Sequence, residues 1–167
     1  LLTKGNENVG RWKRATLLCG WMNKLSEEVL SADALKADPD EVIQALGKWY
    51  TLYLTLLEQE NLLDFSVIQL EALKLLKDNP DTVLAPLKEK IRYVMVDEYQ
   101  DTNTVQERLL FMPLDDKQNI CVVGDDDQGL YRFRGATIRN ILEFPRRFPE
   151  GRCAVHTLTV NYRSDPG

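Results

Sequence analysis

A short apolar run that ends in paired carboxylates is the feature of this sequence best suited to chemistry. Residues 91–96 have the length and β-branched content of a buried strand, and Asp97 and Glu98 follow directly. Ligands of open α/β sheets bind outside the carboxyl ends of such strands. In phosphoryl transfer, one carboxylate there holds Mg²⁺ while a neighbouring acid activates the attacking water. The pair indicates nucleotide hydrolysis, although solvated loop acids explain the pair by itself equally well.

A second unit of the same kind follows. The apolar run 120–123 leads into a segment bounded by Gly124 and Gly129, with three consecutive aspartates and Gln128 between them. The glycines permit a tight turn or a close approach to a ligand. The amide of Gln128 both donates and accepts, which suits sensing a terminal phosphate. Solvated acids are the favoured interpretation of the middle of the acidic run.

The next segment is basic, and aromatic residues alternate with its first arginines. Tyr131 and Phe133 share one face of an extended stretch, while Arg132 and Arg134 share the other. Rings presented in this way can stack on bases, at roughly 1–3 kcal/mol per base in single-strand binders. A core ring is the alternative for Phe133. The net charge of −5 argues against an indiscriminate nucleic-acid coat but not against one basic track.

Three stretches together resemble a known family. They are 97–103, 123–136 and 161–164, and their order and spacing are similar to motifs II, III and IV of the UvrD/Rep-like superfamily one DNA helicases. Leu63-Asp64-Phe65 also resembles the Asp-Phe element that precedes motif II. Two positions depart from the pattern, since Gly129 stands where many members have Ser and Phe133 where many have Trp.

The resemblance implies a role for each matching residue. Asp97 would bind Mg²⁺, Glu98 would be the catalytic base, Gln100 and Gln128 would link the nucleotide to the DNA site, Tyr131 and Phe133 would contact single-stranded DNA, Arg134 would bridge the motif III loop to the nucleotide, Tyr162 would stack on adenine and Arg163 would reach the γ-phosphate. The implied cofactors are ATP and Mg²⁺. The implied partners are single-stranded DNA, single-strand/duplex junctions and the remainder of the helicase chain.

The resemblance also implies a fold and an activity. We expect an α/β fold with a partial RecA-like parallel sheet of the P-loop NTPase type, and an all-helical insertion subdomain on its N-terminal side. The insertion is expected over residues 1–88, with a return helix at about 64–79, and the partial motor domain over residues 89–167. The implied function is ATP-driven translocation on single-stranded DNA and duplex unwinding, in DNA repair, replication or recombination.

A phosphate-binding loop is absent from this sequence. No G-x-x-x-x-G-K-[ST] occurs, and the single Gly-Lys pair, Gly47-Lys48, is followed by Trp49. We therefore interpret the chain as part of a larger helicase, and we expect it to be inactive alone because positioning supplies most of phosphoryl-transfer catalysis.

The N-terminal half is predicted to be helical. Asp38-Pro39-Asp40-Glu41 is typical of a helix start, with an Asp cap and Pro in the first turn. Ser66 and Gln69 suggest a capping box for a later helix. Two apolar stripes are expected to form core faces, 18–29 and 42–57. Their members are Leu18, Met22, Leu25 and Val29 in the first, and Val42, Leu46, Trp49, Tyr53 and Leu56, with Ile43, Tyr50 and Leu57 beside them, in the second.

Composition fits a cytoplasmic protein, with association with a bacterial or archaeal nucleoid favoured over a eukaryotic nucleus. The three cysteines are widely spaced and lack a C-x-x-C pair, which argues against a zinc site or disulfide scaffold. No apolar run of membrane length is present, so we expect no membrane partner. The single histidine, His156, is expected to be structural, on a strand over 154–158.

Two other functions remain open. A metal-dependent nuclease could use Asp97, Glu98 and Asp125 as a carboxylate cluster. A catalytically inactive, helicase-like scaffold is the second alternative, and the presence of Asp97, Glu98, Gln128 and Arg163 argues against it.

Overall fold

The described chain is mainly helical and contains one small parallel sheet. The computed structural model describes residues 10–115, 118–125 and 138–160. Its helices are α1 (Arg11–Glu27), α2 (Ala32–Lys36), α3 (Glu41–Gln59), α4 (Phe65–Asp78), α5 (Ala85–Lys90), α6 (Thr104–Phe111) and α7 (Ile138–Glu143). A π-helical turn occupies Pro80–Leu84, and 3₁₀ turns occupy Tyr99–Asp101 and Phe144–Arg147. The strands are β1 (Val94–Val96) and β2 (Ile120–Val122). This content is consistent with the predicted α/β class.

The two strands pair in parallel and in the order of the sequence. Val94 lies opposite Ile120, and Val96 lies opposite Val122. Three residue pairs are in register, so both strands are shorter than the apolar runs that predicted them. The predicted strand at 154–158 is wrong, since residues 153–160 have neither helix nor strand. His156 is exposed there, which excludes a role in the core of the described residues.

The N-terminal helices enclose a small core. Met22 and Leu25 of α1 and Tyr50 of α3 are the buried members of this cluster. The Ser26 hydroxyl and the Tyr50 hydroxyl share a hydrogen bond of 2.9 Å within it. The predicted stripe of α1 is correct for Met22 and Leu25 but wrong for Val29, because α1 ends at Glu27 and Val29 has a φ of 56°.

The predicted stripe of α3 is correct for Tyr50, and for Leu46 and Tyr53 that pack against it, but wrong for three other members. Val42, Trp49 and Leu56 are 59%, 52% and 48% exposed, whereas Tyr50 is 1% exposed. Gly47 explains this orientation, because a Cβ atom there would lie 2.8 Å from the backbone nitrogen of Lys36. The close approach of α2 is possible only over a residue without a side chain. The approach thereby turns the Gly47 and Tyr50 side of α3 inward.

Two aspartates cap the helices on either side of this core. The Asp40 side chain accepts a hydrogen bond of 2.7 Å from the Val42 N–H, so α3 begins two residues later than a cap at Asp38 predicts. The Asp64 side chain does the same for α4, at 2.7 Å from the Val67 nitrogen.

The predicted Ser66–Gln69 capping box is therefore wrong. The Ser66 hydroxyl donates instead to the Glu27 carboxylate in α1, at 3.1 Å. Gln69 accepts a hydrogen bond of 3.3 Å from the Asn103 amide. Both side chains join α4 to neighbouring elements rather than close its first turn.

Asp64 has a second function beyond its cap. Its Oδ2 atom accepts a hydrogen bond from the Tyr53 hydroxyl in α3. Burial, followed by the hydrogen bond to Asp64, raises the pKa of Tyr53, so its phenol remains a donor. One carboxylate therefore caps α4 and fixes it to α3.

The two capping aspartates provide a matched test of this double role. Asp40→Ala removes a cap alone and should destabilise the chain by about 1 kcal/mol. Asp64→Ala also removes the carboxylate that accepts from the Tyr53 hydroxyl and should cost about 2–3 kcal/mol. Urea unfolding of both variants measures the difference. Equal losses would show that the contact with Tyr53 contributes nothing to stability.

Candidate functional site

The carboxyl ends of β1 and β2 meet at one edge of the sheet. Beyond the strands, the Val123 N–H donates to the Val96 carbonyl at 2.8 Å, and the Tyr99 N–H donates to the Val123 carbonyl at 3.0 Å. These bonds carry the ladder past the last paired residues. They hold the segment after β1, with Asp97 and Glu98, against the segment after β2, with Asp125.

Glu98 forms a left-handed turn at this edge. Its backbone has φ 51° and ψ 40°, a conformation that residues other than glycine rarely adopt. Its N–H donates to Asp97 Oδ1 at 2.9 Å, and its carbonyl accepts from the Asp101 N–H at 2.9 Å. Asp97 and Glu98 are exposed, whereas Tyr99 and Gln100 are buried. The turn therefore leaves two adjacent carboxylates accessible and fixes the residues that follow.

The side chain of Gln100 joins the two segments. It is 2% exposed. Its Nε2 donates to Glu98 Oε2 at 2.6 Å, and its Oε1 accepts from the Asp125 N–H at 3.0 Å. The acid that follows β1 and the backbone that follows β2 are thus joined through a single amide.

An ion pair between the buried Glu107 carboxylate and the partly exposed Arg147 supports the turn. The Tyr99 hydroxyl donates to Glu107 Oε1 at 2.7 Å, and Arg147 Nη2 forms an ion pair with Glu107 Oε2. Burial, followed by the hydrogen bond to Glu107, raises the pKa of Tyr99, which keeps the phenol protonated. The Arg147 guanidinium also lies 5.5 Å from the centre of the Phe111 ring. Glu107 is 4% exposed, so both partners are needed to offset its burial.

Aromatic packing and helix caps complete the support. The rings of Tyr99 and Phe144 lie 5.3 Å apart in an edge-to-face arrangement. Asn103 and Gln106 form a capping box at the start of α6. The Asn140 amide in α7 donates to the Thr102 carbonyl at 3.2 Å. The turn is therefore held by α6 on one side and by the 138–147 region on the other.

The helical region contacts the same turn. Thr104, the first residue of α6, donates its hydroxyl hydrogen bond to Glu28 Oε2 at 2.6 Å. The neighbouring Glu27 accepts from Ser66 in α4. Burial raises the pKa of Glu27. The hydrogen bond from Ser66 partly opposes this rise, and the charge of Glu28 adds to it. The last turn of α1 thus ties α4 and α6 together.

The structure brings three of the predicted site residues together. Asp97, Glu98 and Gln100 lie within one turn at the sheet edge. The other predicted site residues lie outside the described residues: Gln128, Tyr131, Phe133, Arg134, Tyr162 and Arg163.

Sequence reasoning missed the residues that support the turn. The capping box at Asn103 and Gln106 has a recognisable sequence signal, a capping residue followed three positions later by Gln. Glu107 and Arg147 have no such signal, because their contact spans 40 positions.

Metal-binding clusters and membrane-spanning helices are both absent from the described part of the chain. Within residues 10–115, 118–125 and 138–160, no group of three His, Cys, Asp or Glu side chains could hold a metal ion. Asp97, Glu98 and Asp125 thus form no carboxylate cluster of the kind that the nuclease alternative requires. No helix in these ranges is long and apolar enough to cross a membrane.

Comparison with known proteins identifies the family. The family model described as the UvrD/REP helicase N-terminal domain matches residues 3–149. The chain belongs to this family. Similar members include the ATP-dependent DNA helicase PcrA of Staphylococcus aureus, 37% identical over 161 residues that make up 95% of this chain and 22% of that protein. The PcrA of Staphylococcus epidermidis is 36% identical over 149 residues, 89% of this chain and 20% of that protein. This UvrD/REP family member thus spans about a fifth of the length of these relatives.

The ion pair under the turn can be tested by substitution. Arg147→Ala leaves the buried Glu107 carboxylate without its cation and should destabilise the chain by about 2 kcal/mol. This cost is below that of fully buried pairs because the Arg147 side chain is 38% exposed. Arg146→Ala, at an exposed neighbouring position, is the control and should cost less than about 0.5 kcal/mol. Thermal unfolding that gives equal losses for the two would contradict the supporting role of the pair.

Proposed function

We propose that this chain is part of an ATP-dependent DNA helicase that couples hydrolysis to translocation on single-stranded DNA and to duplex unwinding. The observation that carries the proposal is the meeting of Asp97 and Glu98 with the Gly124–Asp125 segment at one sheet edge. Membership of the UvrD/REP helicase family supports it. DNA repair, replication or recombination is the setting in which such a motor acts, and a cytoplasmic location remains a prediction.

Asp97 and Glu98 divide the chemistry at this edge. Magnesium bound with ATP commonly takes one or two carboxylates and completes its shell with water and phosphate oxygens. The exposed carboxylate of Asp97 fits that need without a protein-only cage. Once bound, the ion offsets charge on the phosphates. Glu98, whose side chain is exposed beside Asp97, accepts the proton of the attacking water as catalytic base.

The remaining roles belong to residues outside the described ranges. Gln128 senses the γ-phosphate or its attacking water, Arg134 bridges this loop to the nucleotide, Tyr162 stacks on adenine and Arg163 contacts the γ-phosphate. A guanidinium suits the last role because it is planar, permanently charged and able to bind two phosphate oxygens. Tyr131 and Phe133 contact bases of single-stranded DNA by stacking.

We further propose a division of the chain that follows from this function. Residues 89–167 contribute to a RecA-like motor domain, and residues 1–88 form a helical insertion that contacts single-strand/duplex junctions. α4, at Phe65–Asp78, covers the residues expected for the return helix at about 64–79. The boundary at residue 88 falls within α5. The rest of the helicase chain supplies the phosphate-binding loop and a second motor domain.

The two alternatives receive less support. A two-metal nuclease requires several carboxylates around its ions, and no such group occurs among the residues that the structure describes. An inactive scaffold needs no accessible acid pair, whereas Asp97 and Glu98 are both exposed at the strand end.

The catalytic pair can be tested in the full-length protein. Glu98→Gln should leave binding of Mg·ATP nearly unchanged and reduce hydrolysis by roughly 10²-fold or more, since the base is lost. Asp97→Asn should instead weaken metal-dependent nucleotide binding. Nucleotide affinity with and without Mg²⁺, together with steady-state ATPase rates, separates the two effects. Wild-type hydrolysis by both variants would remove this edge from catalysis.

The DNA contact has its own test. Phe133→Ala in the full-length protein should weaken single-strand binding by roughly 1–3 kcal/mol and reduce unwinding more than DNA-independent hydrolysis. Gln128→Ala is the matched comparison and should leave DNA affinity intact while uncoupling hydrolysis from movement. Affinity, ATPase and unwinding are measured on both. Unchanged affinity and unwinding in Phe133→Ala would assign that ring to the core.

A further inference from the structure

Gln100 is a buried amide whose two polar atoms contact two different parts of the site. Its orientation follows from chemistry, because the carboxylate of Glu98 can only accept and the Asp125 N–H can only donate. A swapped amide would oppose oxygen to oxygen and nitrogen to nitrogen. The side chain is 2% exposed, so it has little surface to offer a nucleotide.

We propose that Gln100 is a positioning residue, which acts on hydrolysis through Glu98 rather than by contact with ATP. This inference rests on the proposed function and replaces the role of nucleotide ligand that the family resemblance implies for Gln100. A base must point at the proton it removes, and an exposed glutamate has several rotamers. The bond from Gln100 Nε2 fixes one carboxylate oxygen of Glu98. Gln100 thereby selects the direction of the base.

The backbone after β2 is shaped to receive this amide. A Cβ atom at Gly124 would lie 2.5 Å from Gln100 Oε1 and 2.7 Å from the Cδ1 atom of Ile141. Real Cβ atoms do not approach other heavy atoms so closely. Glycine at this position therefore lets the Gln100 amide reach the N–H of Asp125.

This arrangement connects the segment after β2 to the catalytic base, Glu98, through Gln100. Asp125 is the residue that enters the stretch 126–137, which contains Gln128 and Phe133. Displacement of the Asp125 N–H moves the Gln100 Oε1 atom that accepts its hydrogen bond. The amide group is rigid, so its Nε2 atom, which donates to Glu98, moves as well. The position of the Asp125 backbone thus affects the direction of the Glu98 carboxylate through two hydrogen bonds.

Kinetic parameters of the full-length protein distinguish a positioning residue from a ligand. Gln100→Met fills the same space without hydrogen bonds and should lower kcat roughly 10-fold to 100-fold, the scale of a small misplacement of a catalytic group. KM for ATP and the Kd of a non-hydrolysable ATP analogue should change by less than about 2-fold. Gln100→Glu keeps an acceptor for the Asp125 N–H but places a second negative charge beside Glu98. Its kcat should fall at least as far as that of Gln100→Met.

A matched control lies in α7, which packs against the same turn. Asn140 is a buried amide, 5% exposed, which donates to Thr102 and takes no part in the proposed chemistry. Asn140→Leu should lower the thermal midpoint and leave kcat within about 2-fold of wild type. A loss of kcat in this variant equal to that of Gln100→Met would mean that any damage to the turn has the same effect, and would overturn the inference.

A double-variant cycle tests the contact with Gly124 without relying on turnover. Ile141→Val removes the Cδ1 atom, so in Gly124→Ala/Ile141→Val the 2.5 Å approach of the new methyl group to Gln100 Oε1 remains. This variant should lower the thermal midpoint of the ligand-free protein. Adding Gln100→Ala removes that approach and leaves the Gln100 backbone nitrogen at 3.3 Å, so the combined loss of thermal midpoint should be smaller than the sum of the separate losses. Additive losses would contradict the proposed contact.

The outcomes separate this inference from the proposed function. Loss of hydrolysis in Glu98→Gln with normal kcat in Gln100→Met would overturn the positioning role alone. A rise of 10-fold or more in the Kd of the analogue, with kcat unchanged, would identify Gln100 as a direct ligand. Normal hydrolysis in both variants would overturn the proposed function as well.

Discussion

The continuation of the parallel ladder beyond its paired residues is the constraint on which the site depends. Two backbone hydrogen bonds, from Val123 to Val96 and from Tyr99 to Val123, bring the segments after both strands to one place. Backbone bonds of this kind do not depend on side-chain identity, so the meeting point is fixed by the register of the sheet. The side chains then decide what the meeting point does. Glu98 is exposed above it, and Tyr99 is buried below it.

Polar groups connect the helices to this turn. Glu107 accepts from Tyr99 and pairs with Arg147, and Glu28 accepts from Thr104. Each of these carboxylates bridges elements that are distant in sequence. Buried pairs add little net stability but penalise other arrangements strongly, because an unpaired buried charge is costly. The network therefore selects one geometry for the turn.

Local patterns predicted the parts of the fold that depend on neighbouring residues. The end of β1 at Val96 agrees with its predicted run, and β2 ends at Val122, one residue before its predicted run does. Asp40 caps a helix near its predicted start. The buried face of α3 was predicted only in part. Tyr50 was among the predicted core residues, but apolar residues surround much of that helix and the approach of α2 over Gly47 selected one side. The support under the turn was also beyond sequence reasoning, since Arg147 reaches its partner across the fold.

At position 98 the residue that suits the left-handed backbone best is not the residue that catalysis requires. A side chain in this conformation costs on the order of 1 kcal/mol relative to glycine, and asparagine is tolerated better than glutamate. Selection for stability alone would favour those residues at position 98, where φ is 51°. Both lack a carboxylate, so the more stable turn would be the less reactive one. Engineering this chain for thermal resistance should therefore leave position 98 unchanged and seek its gains in the helical region.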